Sequence, residues 1–266
     1  MSDSTGIQEG ARFLFGEHQA RRRFSPIPMP HTPSSIDDAY ATQEALHRLL
    51  AAKNGPIAGY KVALTTAVMR ERLGVDEPIA GGILARTIQH SPATVPAADY
   101  VHLGVECEIA FQMRAELSAA RAPHSRDSVA DAVGAAMPAF ELVDDRHADL
   151  AQLARQVSSL VAANVFNAGI VLGPPVVDWR AIDLTAARGT LRTNGVVAGE
   201  GRGSDVMGHP LEAVAWLANV LAKRGRSLSP GMTIMTGAIV GLQVANQGDV
   251  MTLSVDGLGE VSLRVA

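Results

Sequence analysis

The chain has 266 residues, a formal net charge of −4, a hydrophobic fraction of 47% and an aromatic fraction of only 4%. The first pair of figures excludes a global basic field for nucleic acid, and the second excludes both a wholly disordered chain and an aromatic stacking platform. A single cysteine, Cys107, excludes an internal disulfide framework and any multi-cysteine metal site.

Residues 1–56 read as a small helical region. Gly6 to Arg23 carries Ile7, Ala11, Phe13, Leu14 and Phe15 at a loose helical period, and Pro26, Pro28, Pro30 and Pro33 then form a stiff extended link. Ser35 is the expected N-cap of a second helix bearing Ile36, Ala39, Tyr40, Gln43, Leu46, Leu49 and Leu50, with Asn54-Gly55-Pro56 as its stop. From residue 57 to residue 266 the texture is β-rich. Strands are expected at 57–64, 104–112, 139–143, 168–172, 189–193, 196–198, 232–236, 250–255 and 259–265. Asn194-Gly195 and Asp256-Gly257 read as two-residue hairpin turns. Helices are expected at 128–136 and 209–224, the latter with Pro210 at its first position and Gly225 just past its end. The fold class expected is α+β. No apolar run approaches the roughly 20 residues that span a bilayer. The N-terminus lacks the basic-then-apolar layout of a secretory leader, so the expectation is a cytoplasmic protein with no membrane partner.

The sharpest local feature is Gly104-Val105-Glu106-Cys107-Glu108-Ile109-Ala110-Phe111. Strand alternation puts Val105, Cys107, Ile109 and Phe111 on one face and Glu106 with Glu108 on the other. Two like charges on one face repel, and each is costly to desolvate without a partner. A third acid, Glu141, sits in the middle of the apolar run Ala139-Phe140-Glu141-Leu142-Val143 and is followed by Asp144, Asp145 and Arg146. Three carboxylates on two adjacent strands are the minimum hard-oxygen set for Mg²⁺, Mn²⁺ or Ca²⁺, whose charge would cancel the repulsion. Lys61, inside Gly59-Tyr60-Lys61-Val62-Ala63-Leu64, is a second charge in an apolar run. If buried, it needs an anionic partner. These residues alone leave two readings open: a cation site, or a solvated strand face beside a lysine snorkelling from a sheet edge. Cys107 falls on the apolar face and reads as core packing. The Gly-rich stretch from Gly199 to Gly203 lacks the phosphate-loop pattern, and no Gly-x-Ser-x-Gly elbow is present.

With these segments in order, the chain resembles the 2-keto-4-pentenoate hydratase and 4-oxalocrotonate decarboxylase group of the fumarylacetoacetate hydrolase-like superfamily. The likeness runs from about Asp37 to Ala266 through GYKVALTT, GVDEPIAGGIL, GVECEIAF, PAFELVDDR, NAGIVLG, GHPLEAVAWLANVLAKRG and MTGAIVGLQVANQGD. The resemblance implies a helical N-terminal region followed, over 57–266, by a catalytic domain of the fumarylacetoacetate hydrolase-like mixed β-roll type. It implies Mg²⁺ or Mn²⁺ held by Glu106, Glu108 and Glu141, chelated by the carboxylate and 2-keto oxygens of a 2-oxo acid. Lys61 is then catalytic and substrate-binding, with Leu84 and Asn164 as further substrate-binding residues. It also implies a homo-oligomer able to associate with a pathway partner enzyme.

Two departures bear on the reaction. Ile79 stands where hydratases of the group usually carry Asp, and the pair Ala163-Asn164 stands where the group tends to show Asp-Asn. The activity expected is metal-dependent hydration of a short unsaturated 2-oxo acid such as 2-hydroxypenta-2,4-dienoate, in aromatic-compound catabolism. The alternatives are decarboxylation of 2-oxohex-3-enedioate, which Ile79 favours, hydrolysis of an acylpyruvate carbon–carbon bond, and 2-oxo acid binding without turnover. Arg70, Arg72 and Arg86 are candidates to receive a distal carboxylate.

Overall fold

The computed structural model describes residues 4–266. Helix α1 (Ser4–Gln19) and helix α2 (Ile36–Asn54) form the N-terminal region. The Ser35 hydroxyl accepts the Asp38 N–H at the start of α2, and Gly55 closes it at φ 76, a conformation that favours glycine. Strand β1 (Ile57–Ala63), helix α3 (Ala67–Leu73) and strand β2 (Ile79–Leu84) follow, then the short β3 (Ile88–His90) and β4 (Ala93–Val95). Strand β5 (Leu103–Met113) leads through α4 (Arg126–Ala132) directly into β6 (Val133–Asp144). After α5 (Leu150–Arg155), α6 (Val157–Ala162) and β7 (Asn167–Leu172) come β8 (Arg188–Thr193) and β9 (Val196–Arg202). Helix α7 (Pro210–Ala222) and strands β10 (Thr233–Val244), β11 (Val250–Val255) and β12 (Gly259–Val265) complete the chain.

The strands form two mixed sheets. The larger has the order β2-β1-β10-β5-β6-β7-β3, and the smaller β4-β12-β11-β8-β9. In the larger sheet β1 runs parallel to β10 and β3 parallel to β7, while β10, β5, β6 and β7 are antiparallel neighbours. One continuous core extends from Ala11 and Leu14 of α1 through Leu46 of α2 to Val265 of β12, so the N-terminal helices share their packing with the sheets. A second, separate cluster of Ile83, Ala110, Ala135, Met137, Ala139, Ile170, Leu172 and Met235 lines the opposite face of the larger sheet. Alternation puts Ala110 on the face of Glu106 and Glu108, and Ala139 on that of Glu141. The carboxylates therefore stand at the end of a dry aliphatic floor.

Local structure departs from the sequence reading where small residues mislead. The expected helix over 128–136 ends at Ala132, and Val133 to Pro138 instead extend β6. Strand β2 is not among the strands expected from the sequence. A Cβ on Gly81 would lie 2.8 Å from the Asn164 carbonyl, and one on Gly82 2.6 Å from the His47 ring, so close packing against this strand requires both glycines. Asn194-Gly195 forms the expected two-residue turn, since Thr193 pairs with Val196 and both turn residues have positive φ. At Asp256-Gly257 the ladder closes between Val255 and Gly259, a three-residue loop that includes Leu258. His209 caps α7, its Nδ1 accepting the Leu211 N–H. Among the described residues no helix is long and apolar enough to cross a membrane.

Candidate metal centre and active site

The antiparallel register of β5 and β6 sets Glu106 directly opposite Glu141 and Glu108 opposite Ala139. Three carboxylates thus converge, with one oxygen from each lying within 4.8 Å of the others. Glu108 and Glu141 are fully buried. Their partners come from three other strands. Lys61 of β1 reaches across with its Nζ 3.0 Å from Glu141 Oε1. Asn167, the first residue of β7, donates its Nδ2–H to the same Oε1 at 2.9 Å. On the other side, the Gly237 N–H donates to Glu108 Oε2 at 2.7 Å.

Gly237 is placed by a bulge. The register between β10 and β5 shifts between Met235 and Ala238, and Gly237 sits in that step at φ 109. A bulge beside a site re-aims a backbone group that a regular ladder would spend on its neighbour. Asn167 is placed by a second irregularity. Asn164, Val165 and Phe166 all have positive φ (59, 50 and 59). This is a costly conformation, most of all for a β-branched valine. Buried contacts hold it there. Asn164 Oδ1 lies 2.7 Å from His47 Nε2 and accepts the Gly82 N–H, its Nδ2–H donates to the Gly82 carbonyl, and Phe166 packs edge-on against Phe24. Because Oδ1 can only accept, His47 donates from Nε2.

The electrostatics follow from this crowding. Burial, then the Glu141 charge, pushes the Glu106 carboxyl up to about 7, with Lys61 opposing. Burial, then Glu141 and Glu106, pushes Glu108 well above the usual carboxylate range. Burial by itself would depress the Lys61 ammonium, but Glu141, Glu106 and Glu108 outweigh it and hold the ammonium charged. Two carboxylate oxygens, Glu108 Oε1 and Glu141 Oε2, are buried without a hydrogen-bond partner. Unpartnered buried anionic oxygens are expensive. A hard divalent cation, which takes carboxylate oxygens and keeps further positions for water or a chelating ligand, fits this donor set.

The sequence-predicted residues are therefore placed as follows. Glu106, Glu108, Glu141 and Lys61 come together. Leu84 and Asn164 do not touch the carboxylates. They line an adjoining cavity of about 60 Å³ that also includes Asn167, Arg146 and Thr87. Asn167 and the Gly237 amide went unread, because nothing in their local sequence shows which strand lies beside which. Asp144 and Asp145 are structural: Asp144 accepts the Val101, His102 and Arg146 N–H groups, and Asp145 lies 2.7 Å from His102 Nδ1. Cys107 is fully buried on the opposite face, where burial pushes its thiol up. Ile79 is buried in β2 and supplies no proton-transfer group.

Residues 78–266 match the model of the fumarylacetoacetate (FAA) hydrolase C-terminal family. A 2-keto-4-pentenoate hydratase of Paraburkholderia phymatum is 32% identical over 264 residues, covering 98% of each chain. The chain belongs to this family, in its hydratase and decarboxylase group. A 4-oxalocrotonate decarboxylase of Pseudomonas putida is also 32% identical, over 227 residues, with 85% of this chain and 84% of that one covered. The 4-oxalocrotonate decarboxylase of Pseudomonas putida G7, solved with magnesium and adipate, superposes with a TM-score of 0.91 at 26% identity. It covers 100% of this chain and 99% of its own. In this chain the acidic strands β5 and β6 lie inside the seven-stranded mixed sheet, between β10 and β7.

Proposed function

We propose that this protein is a metal-dependent lyase that hydrates a short unsaturated 2-oxo acid of the 2-hydroxypenta-2,4-dienoate type, as in aromatic-compound catabolism. The observation that carries the reading is the convergence of Glu106, Glu108 and Glu141 with two unpartnered oxygens beside a buried, charged Lys61. Glu106, Glu108 and Glu141 would hold Mg²⁺ or Mn²⁺, as the chemistry of three carboxylates favours. When bound, such a cation supplies Lewis-acid polarisation of a 2-oxo group and stabilises the negative charge that develops there.

The chain's own residues do the rest. Lys61 is held as an ammonium, so it donates to the substrate's keto or carboxylate oxygen and cannot act as a general base. Asn167 fixes the Glu141 carboxylate, and the Gly237 amide fixes that of Glu108, so neither needs to reorganise as charge moves. Leu84 and Asn164 shape the wall of the substrate chamber, and the aliphatic floor excludes water from behind the carboxylates.

Decarboxylation of 2-oxohex-3-enedioate is the second reading, favoured by Ile79, which leaves no acid in β2 to handle a water. The reading also includes a small-molecule substrate, a cytoplasmic location and a homo-oligomer able to associate with a pathway partner enzyme. The exposed Val196, Val197, Leu242, Val244 and Val250 support the oligomer. The test is a UV assay with Mg²⁺ or Mn²⁺ on wild type and Glu106→Gln, offering the dienol monoacid and the unsaturated diacid in parallel. Metal-dependent loss of either chromophore, absent in the variant, is expected, and CO₂ release separates decarboxylation from hydration. Turnover unaffected by chelator would overturn the reading.

A further inference from the structure

Strand β2 is the outer strand of the larger sheet, and such an edge leaves a row of N–H and C=O groups for which no strand is available. Here side chains take the place of the missing strand. The Ala80 N–H donates to the Tyr40 hydroxyl at 2.9 Å, and the Ala80 carbonyl accepts from Gln43 Nε2 at 2.9 Å. Two residues on, the Gly82 N–H and carbonyl are both bound by the Asn164 side-chain amide, at 2.7 and 2.9 Å. Tyr40, Gln43 and His47 share one face of α2 by their spacing. All three are buried, and His47 Nε2 lies 2.7 Å from Asn164 Oδ1.

Tyr40 and Gln43 end on backbone groups, but the hydrogen bond of His47 ends on a side chain that leads to the carboxylates. Asn164 opens the three-residue stretch of positive φ, and its carbonyl accepts the Asn167 N–H. Asn167 then donates to Glu141 Oε1, the oxygen that Lys61 also holds. Glu141 Oε2 is left buried and unpartnered, as the oxygen to offer a cation. An Asn-Val-Phe run does not adopt this backbone shape unaided, so the aim of Asn167 depends on how firmly Asn164 is anchored. With His47 and Gly82 both donating, the two lone pairs of Asn164 Oδ1 are filled and the amide has one orientation.

We infer that His47 is a positioning residue for the candidate metal centre: by locking the Asn164 amide it holds the turn that aims Asn167 at Glu141. The inference rests on the function proposed above in taking Glu141 as a cation ligand, and it is independent of which reaction follows. It makes α2, a helix of the N-terminal region, part of the support of a site built on β5 and β6.

The test reads cation affinity rather than turnover, by Mg²⁺ titration calorimetry. His47→Met keeps most of the ring's volume but cannot donate, and it is expected to bind Mg²⁺ about tenfold more weakly, the scale of an outer partner of a metal ligand. His47→Gln restores a donor and should recover most of that loss. Tyr40→Phe loosens α2 on β2 without touching Asn164, so it should melt lower yet keep the wild-type affinity. The losses in His47→Met and Asn167→Ala should not add in the double variant, since both act on Glu141 through Asn167. By reciprocity, Mg²⁺ binding to wild type should slow amide hydrogen exchange around His47 and over 164–168, a readout that needs no variant to fold. Unchanged affinity in His47→Met, no recovery in His47→Gln, an equal loss in Tyr40→Phe, additive losses in the double variant, or a wild type without that protection each overturns the inference. A wild type that binds neither Mg²⁺ nor Mn²⁺ overturns the proposed function itself, and this inference with it.

Discussion

Lys61 Nζ lies 3.0 Å from Glu141 Oε1, and the two side chains are 2% and 0% exposed. A pair this deep is poor evidence of net stability, yet breaking it is severe because the surviving charge stays buried. Lys61→Met should therefore cost the chelator-treated protein about 3–5 kcal/mol at pH 8. Added Mg²⁺ should recover part of that loss, and metal affinity should rise because one positive charge has left the site. Turnover should fall by about 100-fold or more as a preorganised donor is lost. Thermal melts and metal titrations of the variant, each with and without Mg²⁺, check these opposed signs.

Glu108→Gln reverses the pattern. Its carboxyl is pushed up by burial and by Glu141 and Glu106, so neutralising it relieves repulsion in the metal-free fold. The variant should melt higher than wild type in chelator and lower than wild type in excess Mg²⁺. Calorimetry should show the cation affinity reduced by about 100-fold or more, as expected when one of three anionic ligands becomes neutral.

The pH dependence of metal binding follows from Glu106, whose carboxyl is pushed up to about 7, from 4.5, by burial and the neighbouring Glu141. A raised carboxyl holds its proton in the metal-free fold below about 7 and must release it to bind a cation. Apparent Mg²⁺ affinity should fall as pH drops through 7, with proton release measurable by calorimetry in buffers of different ionisation enthalpy. In chelator, the same shift makes the fold lose stability as pH rises through 7.

His47 gives the opposite slope. Burial pushes its imidazole down to about 4, with the Asn164 hydrogen bond opposing. An unfolded histidine, with a pKa of 6.5, takes up a proton that the folded one refuses. Stability is therefore intact above 6.5 and declines between 6.5 and 4, by on the order of 2 kcal/mol at pH 5. Urea denaturation at pH 7.5 and 5 should show this slope, reduced in His47→Gln.

Gly237→Ala tests the bulge. Its φ of 109 is unsuited to an L side chain, and the new Cβ would lie 2.5 Å from Thr65 Cγ2. Backbone strain of about 1–3 kcal/mol should appear in urea denaturation. The displaced amide should weaken Mg²⁺ binding as well, which a surface glycine such as Gly16, with nothing within 4 Å, would not do when changed to alanine.

Much of the candidate metal centre was legible because it is written in alternation. Glu106 and Glu108 two residues apart, and one acid in the run around Glu141, announce a charged face wherever a strand forms. Lys61 was legible as an anomaly in an apolar run. What escaped is what register and bulges decide: the Asn167 amide and the Gly237 N–H. Strand β2 escaped because Gly81 and Gly82 look like a turn, although their missing side chains make room for Asn164 and His47. The first half of β6 escaped because Gly134, Ala135 and Ala136 carry no strand preference. Their extended form comes from pairing with Phe111 and Gln112, a tertiary override of local propensity.

The rung that joins Glu106 to Glu141 has a consequence for how the chain matures. Side chains alternate, so a slip of β6 by one residue along β5 would present Phe140 or Leu142 where Glu141 belongs and send the acid to the outer face. Such a misfolded sheet would keep most of its backbone pairing yet have no three-carboxylate pocket. A cation held by the three carboxylates would therefore favour the correct pairing: only molecules with the right rung would gain the binding energy, and mass action would draw the population toward them.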